Sequence, residues 1–299
     1  MKPAFCLSLI AGAALLTAGC SGGSDEPAPT PSEPKKIEIK ISPSVTESRA
    51  TDYGFEKGDR VGLYVVNRTG GVSGTLLDVG NYVDNMRFTY DGTWVPDDLL
   101  YWKDNETHAD FYLYYPYSTV NSVKAHPVVL QADQSSEAAY KASDFMVGKK
   151  IDVAPTAAAT VINVSHVMSR VMIYLEAGNG FTKESLAASN VSVRINGIKC
   201  NSTVDLTTGA VTATGSAAAV TPFFADNTYK ALIVPQTVGE GNLITVTVDG
   251  REFNLKKGFT FTGSKSHKVT ITLSKTSNGV NVNINPWTDD GTDNGGTAE

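Results

Sequence analysis

From residue 36 onward, apolar and polar side chains alternate with a period of two. That spacing places successive residues on opposite faces of a β-strand. Ile37, Ile39 and Ile41 alternate with Glu38 and Lys40; Val61, Leu63 and Val65 follow, then Val161-Ile162-Asn163-Val164, then Val171, Ile173 and Leu175. Val191, Val193 and Ile195 run into Asn196-Gly197, and residues 244–248 stop at Asp249-Gly250 before Phe253 and Leu255. Both dipeptides accept the left-handed backbone of a two-residue turn, so each predicts a tight hairpin. Val269, Ile271 and Leu273 alternate again, as do Val280, Val282 and Ile284. Only residues 137–142 and 183–188 carry a short helical pattern. The pattern predicts an all-β protein.

Turn chemistry about every ten residues fits sandwiches better than one broad sheet. Alternation lapses at residues 152–159, around Pro155 and an Ala/Thr run. The expected boundary between two sandwiches falls there, giving domains at 36–155 and 156–288, with a polar tail at 289–299.

The first 35 residues follow a different logic. After Lys2 an apolar run closes on small residues and Cys20, with Thr17 where the strict pattern has Leu. This is the layout of a bacterial lipoprotein signal: residues 1–19 are removed and the Cys20 thiol carries the lipid. Each buried acyl methylene contributes about 0.8 kcal/mol, so two or three chains anchor durably. After Cys20, residues 21–35 are mostly Ser, Gly, Asp, Glu and Pro, so 20–35 form a flexible linker with almost nothing to bury. Ser24-Asp25-Glu26 reads either as an export tag to the outer face or as plain solvated linker. The expected location is the outer membrane or cell surface, lipid-anchored.

Charge and cysteine use narrow the function. The formal net charge is -6, and losing Lys2 with the signal gives -6 - 1 = -7. An acidic exported chain has no electrostatic footprint for nucleic acid. No later apolar run approaches the roughly 20 residues of a spanning helix. Of the three cysteines, Cys6 leaves with the signal and Cys20 is acylated, so Cys200 has no partner for a disulfide.

Candidate chemistry is sparse. His108, His126, His166 and His267 lack the spacing of a compact metal site. Asp289, Asp290 and Asp293 lack the rhythm of a calcium loop and read as solvated tail. Trp94, Trp102 and Trp287 could stack on a sugar, but in a sandwich core packing is the better expectation. Cys200 reads as a small, buried apolar residue, with no local basic neighbour beyond Lys199 to make it a nucleophile. An active site would need Asp59, His166 and Arg170 to converge from a distance. His166 and Arg170, four apart in an alternating stretch, are expected on one face in a buried polar contact. No catalytic residue, cofactor or metal is expected.

Several local signatures occur in order: Phe55-x-x-Gly58-Asp59-x-Val61-Gly62-Leu63-Tyr64, Tyr114-Tyr115-Pro116-Tyr117, Ser143-Asp144-Phe145-Met146-Val147-Gly148 and His166-x-Met168-Ser169-Arg170-Val171. Ile233-Val234-Pro235-Gln236, Phe259-x-Phe261-x-Gly263 and Ile284-Asn285-Pro286-Trp287 follow. Over residues 50–288 this set resembles the fimbrillin family, the Mfa-like lipoprotein pilins of type V pili. The resemblance implies two tandem transthyretin-like β-sandwich domains and proteolytic maturation at the cell surface. In the family an N-terminal strand is removed after an arginine. The matching segment here is 36–49, with Arg49-Ala50 as the candidate scissile bond.

That segment has a physical use. Ile37, Ile39 and Ile41 can fill a groove in the first sandwich, contributing roughly 5–8 kcal/mol before entropy costs. Removing the strand would leave unpaired backbone groups beside apolar pockets, which an extended segment of another subunit can refill. Repeated head to tail, this contact is open and makes a filament. The candidate donor is Val280, Val282, Ile284 and Trp287, since the tail beyond carries no large apolar residue. If that strand stays in its own sheet, the chain is a tip or accessory subunit. Expected partners are other pilin subunits and a host or bacterial surface ligand. The alternative is a surface lipoprotein that binds glycan or host protein without polymerising.

Overall fold

β-branched and aromatic residues at alternating positions commit the chain to extended structure. The computed structural model describes residues 36–45, 54–275 and 287–288. In chain order the elements begin with β1 (Ile41–Val45), β2 (Arg60–Asn67), β3 (Val83–Tyr90), β4 (Trp94–Pro96) and β5 (Ala109–Tyr115). Next come β6 (His126–Val129), α1 (Glu137–Ala142), β7 (Met146–Val153), β8 (Thr160–His166), β9 (Ser169–Ala177), α2 (Lys183–Ala188) and β10 (Val191–Val204). β11 (Val211–Val220), β12 (Phe223–Ala225), β13 (Thr228–Ile233), β14 (Gln236–Val238) and β15 (Asn242–Val248) follow. The last are β16 (Arg251–Lys256), β17 (Phe259–Phe261), β18 (Ser266–Leu273) and β19 (Trp287–Thr288). The all-β expectation holds, and both helices lie where the sequence places them.

Four sheets result. A seven-stranded sheet has the order β1-β8-β7-β5-β2-β3-β4. One five-stranded sheet runs β11-β10-β15-β16 with β6 also on β10, a second runs β12-β13-β9-β18-β19, and β14 pairs with β17. The two five-stranded sheets enclose a core that includes Val171, Ile173, Ile195, Val246, Phe253 and Ile271. In the seven-stranded sheet, β2 and β5 are central and buried on both faces. Val61, Leu63 and Val65 pack with Phe111 and Ile162 on one side. Tyr64, Val66 and Tyr114 pack on the other with Val204, Leu232 and Val234 from the later strands.

One expectation changes. Asn196-Gly197 makes no hairpin: β10 continues through it for fourteen residues. Gly197 takes φ +77, and the register against β11 shifts between Ile195 and Ile198. The glycine therefore supplies a bulge, which bends β10 from its pairing with β15 to its pairing with β6. Asp249-Gly250, both at positive φ, does turn β15 into β16 as expected. The lapse at 152–159 also has a local cause. Residues 154–159 connect β7 to β8, so the first sheet runs on to His166, beyond the boundary expected at 155.

Local chemistry sets several elements. Ser136 caps α1 by accepting from the Ala139 N–H, and Thr182 with Ser185 closes a capping box on α2. Gly148 of β7 lies against β8 so closely that a Cβ would collide with the Asn163 carbonyl oxygen. Backbone cannot yield as a side chain can, so Gly148→Ala is expected to cost about 1–3 kcal/mol. A lowered denaturant midpoint checks this; an unchanged midpoint contradicts it.

Candidate functional site

The seven-stranded sheet ends in β1, which lies parallel to β8 with Ile41 opposite Thr160 and Val45 opposite Val164. Just before β1 the chain also pairs with another segment. The Ile39 N–H donates to the Leu100 carbonyl (2.9 Å), and the Trp102 N–H donates to the Ile37 carbonyl (2.8 Å). Glu38 stands opposite Tyr101 in that antiparallel bridge. On the opposite side, the Thr160 N–H donates to the Lys40 carbonyl (2.8 Å). Residues 37–45 thus lie in a slot with β8 along one edge and residues 100–102 along the first part of the other.

Side chains follow the pleat. Ile39 and Ile41 are 1% and 4% exposed, Pro43 is buried, and Ile37 is half-buried. Lys40, Ser42 and Ser44 face solvent. The two isoleucines sit in one core with Val61, Leu63, Phe111, Trp102 and Ile162. Their burial contributes about 3–6 kcal/mol before entropy. The Trp102 indole N–H donates to the Thr156 carbonyl (3.1 Å), fixing the wall of the slot.

Beyond Val45 an open cavity is lined by Val45, Gly54 and the side chains of Asp59, Tyr115, Asp144 and His166, among others. Asp59 accepts from the Glu56 N–H (2.7 Å) and the Tyr115 hydroxyl (3.1 Å). His166 Nδ1 lies 2.9 Å from Asp144. Burial, followed by the Asp59 carboxylate, pushes the Tyr115 phenol above its ordinary range. Asp59 and His166 therefore share a cavity, each held by a partner. Arg170 does not line this cavity: it is the second residue of β9, and its Nε donates to the Ser266 hydroxyl (3.1 Å). His166 ends β8 and Arg170 belongs to β9, so the two do not lie on one continuous strand; both are buried.

Trp102 is buried in the core, and Trp94 is half-buried edge-on to Phe55, with ring centroids 4.9 Å apart. Cys200 is half-buried, and burial pushes its thiol up. Among the described residues no cluster of His, Cys, Asp and Glu could hold a metal, and no helix is long and apolar enough to cross a membrane. Cys20, Arg49, Ala50, Val280, Val282, Ile284 and the three tail aspartates lie outside the described residues. The Trp287 backbone pairs with Lys268 in β18. The sequence pattern missed Pro43 and the 100–102 wall, although Pro43 continues the apolar parity of Ile37, Ile39 and Ile41.

The sequence profile described as "Fimbrillin-like" matches residues 48–287. The chain belongs to the fimbrillin-like family. It is 25% identical over 292 residues to a Bacteroides uniformis protein named "Putative fimbrium subunit Fim1C", covering 92% of each chain. Its fold resembles a "putative cell adhesion protein" of Bacteroides uniformis (TM-score 0.61, 18% identity, 85% of this chain and 98% of that one). A second protein so described, from Bacteroides ovatus, matches with TM-score 0.62 at 14% identity, covering 84% and 96%. As a member of this fimbrial family, the chain is structural rather than an enzyme.

Proposed function

We propose that this fimbrillin-like chain is a structural or accessory pilin of a cell-surface fimbria, assembled by strand exchange once residues 36–49 are removed at Arg49-Ala50. One observation carries the reading: β1 is an outer strand of the sheet, and Ile41 in it with Ile39 just before it complete a core made by the rest of the sheet. An outer strand can leave without breaking the pairing of the other strands, and its departure opens both a ladder and an apolar slot. Residues 280–287 of a neighbouring subunit are the proposed donor. Cys20 is the proposed lipid site, holding the precursor at the outer membrane until cleavage releases it. Two sandwich domains, divided at about residue 155 as the sequence expects, are part of this reading, and the assembled fimbria serves adhesion.

Treating the purified protein with an arginine-specific protease tests this. Cleavage after Arg49 should convert monomers to SDS-resistant ladders, and Arg49→Ala should abolish them. Cleaved protein that stays monomeric at every concentration supports the other reading, a non-polymerising surface lipoprotein that binds glycan or host protein.

A further inference from the structure

We infer that the outer edge of β11 is a docking edge for a second copy of the same chain, the two β11 strands pairing antiparallel about a two-fold axis. β11 ends its five-stranded sheet and is laddered to β10 along one side. Among the described residues nothing pairs with its other side until Thr221. There the Thr221 N–H donates to the Ala132 carbonyl (2.8 Å), and its carbonyl accepts from the Gln134 N–H (2.9 Å). Residues 214–219 are all exposed, and Val220 is the buried end of the strand. The open side of β11 therefore presents backbone donors and acceptors that water or another strand must satisfy.

The other outer strands are blunted, each by a recognisable device. β16 carries Arg251, Glu252 and Lys256, all exposed. β4 and β12 are three residues each, and β4 closes on Pro96. β1 contains Pro43. β11 runs for ten residues with neither charge nor proline. From Leu206 to Ala225 no side chain is charged, although 19% of the chain is. Its one irregularity is Gly215, at φ +75, where the register against β10 shifts between Lys199 and Asn201. That bulge ends the flat run and leaves 216–220 as a short edge suited to one partner strand, not to an open stack.

Charge selects the occupant. With a formal net charge of -6, two copies repel one another over most of their surfaces. β11 against β11 brings no charge into the shared ladder, so like charges never stand opposite one another. A two-fold axis sets each residue of the run against another residue of the same run, and the contact closes on itself as a pair. Ala217, Ala218 and Ala219 carry no side chain long enough to shield the backbone from an approaching strand. A single strand pair is small beside an ordinary dimer interface, so it holds single copies weakly and gains strength when many copies are arrayed. That gain alone rests on the pilin reading above; the pairing itself does not.

Sedimentation of the full chain carrying Arg49→Ala, whose first strand cannot be released by cleavage there, tests the edge without strand exchange. The expected result is a monomer–dimer equilibrium in which amides of residues 211–219 exchange more slowly as protein concentration rises. Ser216→Lys with Ala218→Lys should raise the dissociation constant at least about tenfold, and Ser216→Glu with Ala218→Glu should do the same. Mixing the lysine and glutamate proteins should restore pairing, which misfolded variants could not do. Monomer at every concentration up to about 1 mM overturns the inference. So do dimers that the lysines leave unchanged, or a mixture that stays monomeric. Strand exchange is read separately, from protein cut after Arg49, and survives any of these results.

Discussion

Truncating Ile39 and Ile41 together to alanine is expected to loosen residues 36–45 from the sheet before the rest of the protein unfolds. Both side chains are almost wholly buried in the core that holds Val61, Leu63 and Phe111. A buried isoleucine cut to alanine costs about 2–5 kcal/mol. Two such losses on one outer strand are of the order of its whole apolar attachment, since only one edge of β1 is laddered to another strand. The cost to the global fold is therefore capped: once the strand detaches, further weakening of it no longer counts. Protease attack within residues 46–53 should accelerate strongly, and the thermal midpoint should fall. Unchanged cleavage with an unchanged midpoint would show that the slot does not depend on these side chains.

Asp110→Ala is expected to produce the largest purely structural loss. Its carboxylate is fully buried at the end of β5, 2.8 Å from Arg68 Nη1 and 2.8 Å from the Asp152 backbone N–H, which donates to it. The Ser73 hydroxyl also donates to it. Removing this acceptor leaves a nearly buried guanidinium and a backbone donor without it, a loss of about 3–5 kcal/mol. Chemical denaturation should register this as a midpoint shift without loss of the all-β spectrum. By contrast Asp91→Ala, which breaks an exposed pair with Lys57, should shift the midpoint little. Equal shifts for the two variants would contradict the assignment of the Asp110 network.

Period-two alternation located β8, β9 and β18 because one face of each is buried and the other wet or half-wet. It failed on β5, where Ala109 to Tyr114 are all buried, because a central strand covered on both faces has no polar side to reveal the period. It also failed at Asn196-Gly197, where the same dipeptide that turns a hairpin can make a bulge; long-range pairing of β10 with three other strands decides which. The lapse near Pro155 shows a related ambiguity, since a connection within a sheet and a connection between domains have the same composition. At the slot, the isoleucine spacing was visible in the sequence. The far wall at residues 100–102 was not, because it is a short segment without strand periodicity, brought to Ile37 and Ile39 by the path from β4 to β5.

The central claim is that residues 37–45 fill the slot only until another strand replaces them. N-terminal sequencing of subunits recovered from sheared surface filaments tests it most directly. The account predicts a chain beginning at Ala50, with residues 36–49 absent. Filament subunits still beginning at an acylated Cys20, with Ile39 and Ile41 in place, would contradict it.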